Sequence, residues 1–78
     1  MITGTTEVTG GWDALVCNTD TVFDELKVDG VDVVTARGYA GQTISAGMLI
    51  GAGFAQNKQF VKAKITAVKL TSGSVMAY

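Results

Sequence analysis

Apolar residues recur at every second position through much of this chain, in short runs cut by glycine. Period two is the spacing of a strand, whose side chains point alternately to opposite faces. Residues 1–11 are rich in Thr and Gly and end in Gly10-Gly11, which predicts an arm or a frayed edge strand. From Trp12 to Thr19, Trp12, Ala14 and Val16 alternate with Asp13, Leu15 and Cys17. That pattern predicts a strand with both faces partly buried. Phe60–Leu70 reads as the longest strand: Val61, Ala63 and Ile65 share one face and Lys62 and Lys64 the other. Further on, Val68 and Leu70 are apolar and Lys69 is polar, so the parity has flipped. One extra residue near Thr66-Ala67, a β-bulge, accounts for the slip.

Turn signals divide the rest. Asp29-Gly30 stands between Leu26-Lys27-Val28 and Val31-Asp32-Val33-Val34. Asp-Gly suits a two-residue hairpin turn, whose two central positions need positive φ. Residues 37–41 read as a loop, Gln42–Ser45 and Met48–Ile50 as short strands, Gly51-Ala52-Gly53 as a turn or bulge, and Thr71–Ser74 as a turn before a last strand, Val75–Tyr78. Asp20–Val28 reads two ways. Val22, Leu26 and Val28 share strand parity, but Thr21-Val22-Phe23-Asp24 also fits a helix-capping pattern with Gly30 as a stop. Extended or irregular chain with one helical turn near 21–27 is the expectation there. The whole predicts an all-β fold, a small sandwich or barrel of about seven short strands. Residues 1–11 form the arm or edge strand and 12–78 a single β domain.

Composition agrees: Gly, Val and Thr each occur ten times in 78 residues. Val and Thr favour strands, and Gly supplies turns. A body this small buries only about 60% of its chain's surface. Cys17 is the only cysteine and there is no histidine, so neither a disulfide within the chain nor a Cys/His zinc site is available as a staple. Oligomerisation is the staple that remains.

The missing histidine also removes His-based triads and most acid–base chemistry near neutral pH. The expectation is a protein that is not an enzyme and holds no cofactor. Asp20, Asp24, Asp29 and Asp32 lack the spacing and closing Glu of a calcium loop, so no metal is expected. The glycines at 47, 51 and 53 match no phosphate-binding motif. The start of the chain has no signal-peptide pattern, and the apolar run 46–55 is too short to span a bilayer, so no membrane partner is expected.

Charge is unevenly spread. Residues 1–36 hold all seven acids against Lys27 alone, a net −6, while 37–78 hold Arg37, Lys58, Lys62, Lys64 and Lys69, a net +5. Either the two halves interleave and neutralise each other within one fold, or they form faces that dock on different partners or on neighbouring copies. Lys58, Phe60, Lys62 and Lys64 share strand parity, a basic and aromatic arrangement that binds single-stranded nucleic acid. A pI near 5.0 argues against that use. Trp12 and Tyr39 each follow a glycine at a loop or strand end, which marks them as interfacial aromatics, with ordinary core packing as the alternative. Trp12, Tyr39, Lys58, Lys62 and Lys64 are thus the candidate interface residues.

Three segments carry a resemblance: Asn18-Thr19-Asp20-Thr21-Val22-Phe23, the run Gly41-Gln42-Thr43-Ile44-Ser45-Ala46-Gly47, and the ending Ile65–Tyr78 with its Leu70-Thr71-Ser72-Gly73-Ser74-Val75-Met76-Ala77-Tyr78. They resemble short Thr/Gly-rich structural proteins of tailed bacteriophages and prophages, over about half the chain. The resemblance implies a virion structural role: a head decoration (cement) protein or part of a fibre, β-rich and often trimeric. Its partners would be copies of itself and the major capsid protein or another virion protein, and its place the virion, after synthesis in the host cytoplasm. A small nucleic-acid-binding β module using the Lys58–Lys64 face and a fibre or adhesion module are the alternatives.

Overall fold

The computed structural model describes residues 1–57 and 59–78 of the 78-residue chain, and for 54–56 and 60 the backbone only. The fold is all-β. Its strands are β1 (Ile2–Thr3), β2 (Val8–Trp12), β3 (Ala14–Cys17), β4 (Thr21–Val28), β5 (Val31–Asp32), β6 (Thr43–Ile44), β7 (Leu49–Gly51), β8 (Phe54–Gln56), β9 (Gln59–Val61), β10 (Ile65–Ser72) and β11 (Ser74–Ala77). They are shorter and more numerous than the pattern predicts. All pair antiparallel.

One sheet has the order β1-β11-β3-β7. The other has the order β2-β10-β4-β5, with β6 also on β4, and β8-β9 form a separate hairpin. The two larger sheets enclose one core. Ile2, Leu15, Cys17, Ile50 and Val75 come from the first, and Phe23, Leu26, Val28, Ile65, Val68 and Leu70 from the second. The architecture is a small sandwich rather than a barrel. No helix occurs among the described residues, so none there is long and apolar enough to cross a membrane.

The Asp29-Gly30 turn joins β4 to β5 with φ of 51° and 82°, the doubly positive geometry that two-residue hairpins require. Val28 pairs with Val31 across it. The bulge also stands where parity places it. Ile65 pairs with Val28 and Ala67 with Lys27, leaving Thr66 as the extra residue. Ile65, Ala67, Val68 and Leu70 are buried, while Val61 and Ala63 are only half-buried.

Two expectations need correction. The segment 21–27 has no helical turn; it is strand β4 throughout. The Thr21 hydroxyl caps nothing; it lies 2.9 Å from the Thr19 carbonyl and 3.3 Å from that of Ser74, to either of which it donates. A single helical turn forms instead at 33–38. There Arg37 N donates to Val33 O, and the Asp32 carboxylate accepts from Val34 N at 3.0 Å. Phe60–Leu70 is not one strand either. β9 ends at Val61 and β10 begins at Ile65, so Lys62–Lys64 is a connection.

The chain changes sheets at Gly73, between β10 and β11, with φ of 94°. A Cβ there would sit 2.5 Å from the Asp20 carbonyl and the Thr21 hydroxyl. Glycine is required at this corner on both grounds.

Candidate functional site: an uncharged sheet face

The sandwich sorts its charges by sheet. β1, β3, β7 and β11 contain no charged residue at all. Alternation turns Leu15, Cys17, Ile50 and Val75 inward and so turns Val16, Leu49 and Met76 outward. These three stand in one cross-strand row, because Met76 pairs with Val16 and Val16 with Leu49. A second row runs beside it: Tyr78 exchanges backbone hydrogen bonds with Ala14, and Ala14 pairs with Gly51. Leu49 is 66% exposed, Tyr78 63% and the adjoining Met48 52%. An antiparallel sheet with one face in water normally carries polar residues there. This one carries Leu, Val, Met and Tyr, with Thr3 and Ser74 as a polar pair at one end. Charge depletion with Met and aromatic enrichment marks the centre of protein interfaces.

The other sheet has the charged face. Lys27 Nζ lies 3.7 Å from Glu7 and 3.8 Å from Glu25, and Lys69 Nζ lies 3.3 Å from Asp24. Lys64 pairs with Asp13. The Lys64–Asp13 and Lys69–Asp24 pairs each join the basic second half of the chain to its acidic first half. The halves therefore interleave within one molecule at these two pairs. Glu7 and Glu25 also meet: the contact holds the Glu7 carboxyl below the ordinary range and pushes that of Glu25 above it.

The candidate interface residues fall in different places. Trp12 and Tyr39 are half-buried and pack against the core, Trp12 over Gly10 and Tyr39 with its ring centroid 6.1 Å from that of Phe23. Lys58 and the Phe60 side chain lie outside the described residues. Lys62 and Lys64 are exposed beside an open groove of about 710 Å³, lined also by Asp13, Asp29, Gly53 and Ala63. Two lysines against two aspartates give that groove no net basic character. The strand break at 62–64 also removes the single strand face on which four residues would have aligned. An adjacent apolar groove of about 430 Å³ is lined by Val28, Val31, Val33 and Ala36, with Asp29 and Arg37 at its rim. The structure thus does not bring the five candidate residues together on one surface.

Among the described residues, the first groove sets Lys62 and Lys64 against Asp13 and Asp29. Burial pushes the Cys17 thiol up, so it remains a neutral core group. No three acidic or thiol side chains among those residues converge to hold a metal.

Sequence reasoning missed the uncharged face. Its signal was present in Trp12–Thr19, where both parities of Ala14-Leu15-Val16-Cys17 are apolar. Which strands would join that segment was not legible locally. No protein-family model, no curated protein and no solved structure matches this chain.

Proposed function

We propose that this chain is a structural protein of a bacteriophage virion, of the head-decoration type, which acts by docking as a homo-oligomer on other protein surfaces. The observation that carries the docking part is the outer face of the β1-β11-β3-β7 sheet, whose strands have no charged side chain and whose rows Met76–Val16–Leu49 and Tyr78–Ala14–Gly51 are apolar. Exposed apolar patches of this kind mark sites of protein contact. The phage assignment rests on the resemblance of the Asn18–Phe23, Gly41–Gly47 and Ile65–Tyr78 segments. A compact β sandwich with tight turns suits a protein that must persist on a shell.

Two observations test the reading. The gene should lie beside genes for a major capsid protein and a head protease. The purified chain should co-sediment with shells assembled from that capsid protein. Neighbours of unrelated function together with no co-sedimentation overturn it.

A further inference from the structure

We propose that Glu7 and Glu25 form a proton-operated latch on the strap 2–7, which joins the two sheets. A proton shared between the two carboxyls holds the strap down, and its loss lets the strap lift. The inference does not depend on the docking reading above.

The strap is lightly held. β1 lies in the four-stranded sheet and β2 in the other, so residues 4–7 cross between them. β1 makes two ladder pairs, Ile2 with Val75 and Thr3 with Ser74. Ile2 is buried in the core, but residues 3–7 are all exposed. Ile2 thus pins one end of the strap, and Glu7 stands at the other, just before β2.

The geometry at Glu7 leaves a place for a proton. β10 lies between β2 and β4, so Glu7 and Glu25 meet across the middle strand. Both close on one ammonium: Lys27 Nζ is 3.7 Å from Glu7 Oε2 and 3.8 Å from Glu25 Oε1. These separations are longer than hydrogen bonds. Glu25 Oε1 is buried and has no hydrogen-bond partner among the described residues. A buried carboxylate oxygen without a donor is costly. A proton on Glu25 makes that carboxyl a donor to Glu7 and removes the uncompensated charge.

The surrounding charges fix the sign. On β10, Lys69 favours a charged Glu7, but its Nζ is committed to Asp24 of β4 at 3.3 Å. On β5, Asp32 adds negative charge near Glu25. Lys27 alone therefore faces two carboxylates and balances one. The hydrogen bond to Glu7 raises the Glu25 carboxyl above its ordinary range, so the latch is closed in acid. As pH rises through the folded value of Glu25, the second charge appears against Glu7 and the latch opens. Lifting the strap bares the edge of β11 that β1 covers, a row of backbone groups open to a partner strand.

Hydrogen exchange of the full chain reads the latch. Protection of the β1–β11 ladder amides, corrected for intrinsic exchange, should fall at least about threefold between about pH 4.5 and about pH 7.5. Glu25→Gln is permanently neutral and still donates to Glu7, so it should keep the acid level of protection at both pH values. Asp13→Asn removes an exposed carboxylate elsewhere and should retain the wild-type pH dependence. Protection that does not change with pH, or a change that survives Glu25→Gln, overturns the latch. Ladder amides protected as strongly as the enclosed Leu15 would mean that the strap opens only with the whole fold, and would overturn it as well.

Discussion

Asp29 holds both backbone groups of Lys64: Asp29 N donates to Lys64 O at 2.9 Å, and Lys64 N donates to the Asp29 side-chain Oδ1 at 3.1 Å. The β4–β5 turn is thereby anchored to the chain just before β10. Two residues on, the bulged Thr66 continues the clasp. Its hydroxyl accepts from Gly30 N at 3.0 Å and lies 3.4 Å from the Lys27 carbonyl. A hairpin turn legible from two residues and a bulge legible from a parity slip are thus one structure.

Asp29→Ala removes one of those hydrogen bonds and places alanine at a φ of 51°. It should cost about 2 kcal/mol in urea unfolding. Asp29→Asn tolerates the same φ and keeps an acceptor, and should cost under about 0.5 kcal/mol. Equal losses in the two variants contradict the clasp.

The corner at Gly73 makes the sharpest backbone prediction. Gly73→Ala adds a methyl 2.5 Å from the Asp20 carbonyl at a φ of 94°. The loss should exceed about 2 kcal/mol, read as a fall in the thermal midpoint. Gly11→Ala, at an open position without positive φ, should cost about 1 kcal/mol or less and serves as the comparison.

In the core, Ile65 and Leu15 are fully enclosed from opposite sheets. Ile65→Ala and Leu15→Ala should each cost about 2–5 kcal/mol. Lys64→Ala breaks an exposed pair with Asp13 and should cost about 0.5 kcal/mol or less. A larger loss for Lys64 than for Ile65 would reverse the register assigned to β10.

The Glu7–Glu25 contact predicts a pH effect of definite sign. Glu25 is raised by its hydrogen bond to Glu7, so its contribution is present below the unfolded pKa and fades as pH rises through the folded value. Glu7 is lowered, so its contribution is present above the unfolded pKa and fades as pH falls through the folded value. Glu25→Gln keeps a neutral donor toward Glu7 and removes the first effect. Its urea midpoint at about pH 7, relative to about pH 4, should therefore exceed that of the wild type. No change in that difference would mean the two carboxyls do not interact.

Local pattern carried the turn, the bulge, and the burial of Ile65, Val68 and Leu70, because each depends on neighbours within a few residues. It failed where the deciding partner is distant. Thr21-Val22-Phe23-Asp24 has the spacing of a helix cap, but the segment pairs as strand β4 with the distant β10, Phe23 against Leu70 and Val22 against Ser72. The run from Phe60 to Ile65 alternates without interruption, yet the strand ends at Val61 and Asp29 takes both backbone groups of Lys64 before β10 begins. The charge asymmetry between chain halves was plain in the sequence; its meaning was not. Pairing Asp13 with Lys64 and Asp24 with Lys69 requires knowing which strands meet. The uncharged face was hidden for the same reason, since it is shared among four segments spread from Ile2 to Ala77.

Salt dependence tests the central claim most directly. On the proposed reading, ion pairs such as Lys64–Asp13 and Lys69–Asp24 are closed within one subunit and association uses the apolar face. Sedimentation equilibrium of the full chain at ~0.1 M and ~1 M salt spans Debye lengths of about 10 Å and 3 Å. The account predicts a self-association constant that stays level or tightens at high salt, because screening has no intersubunit charges to weaken. A steep loss of association at high salt would contradict it and return the contact to the charged groups.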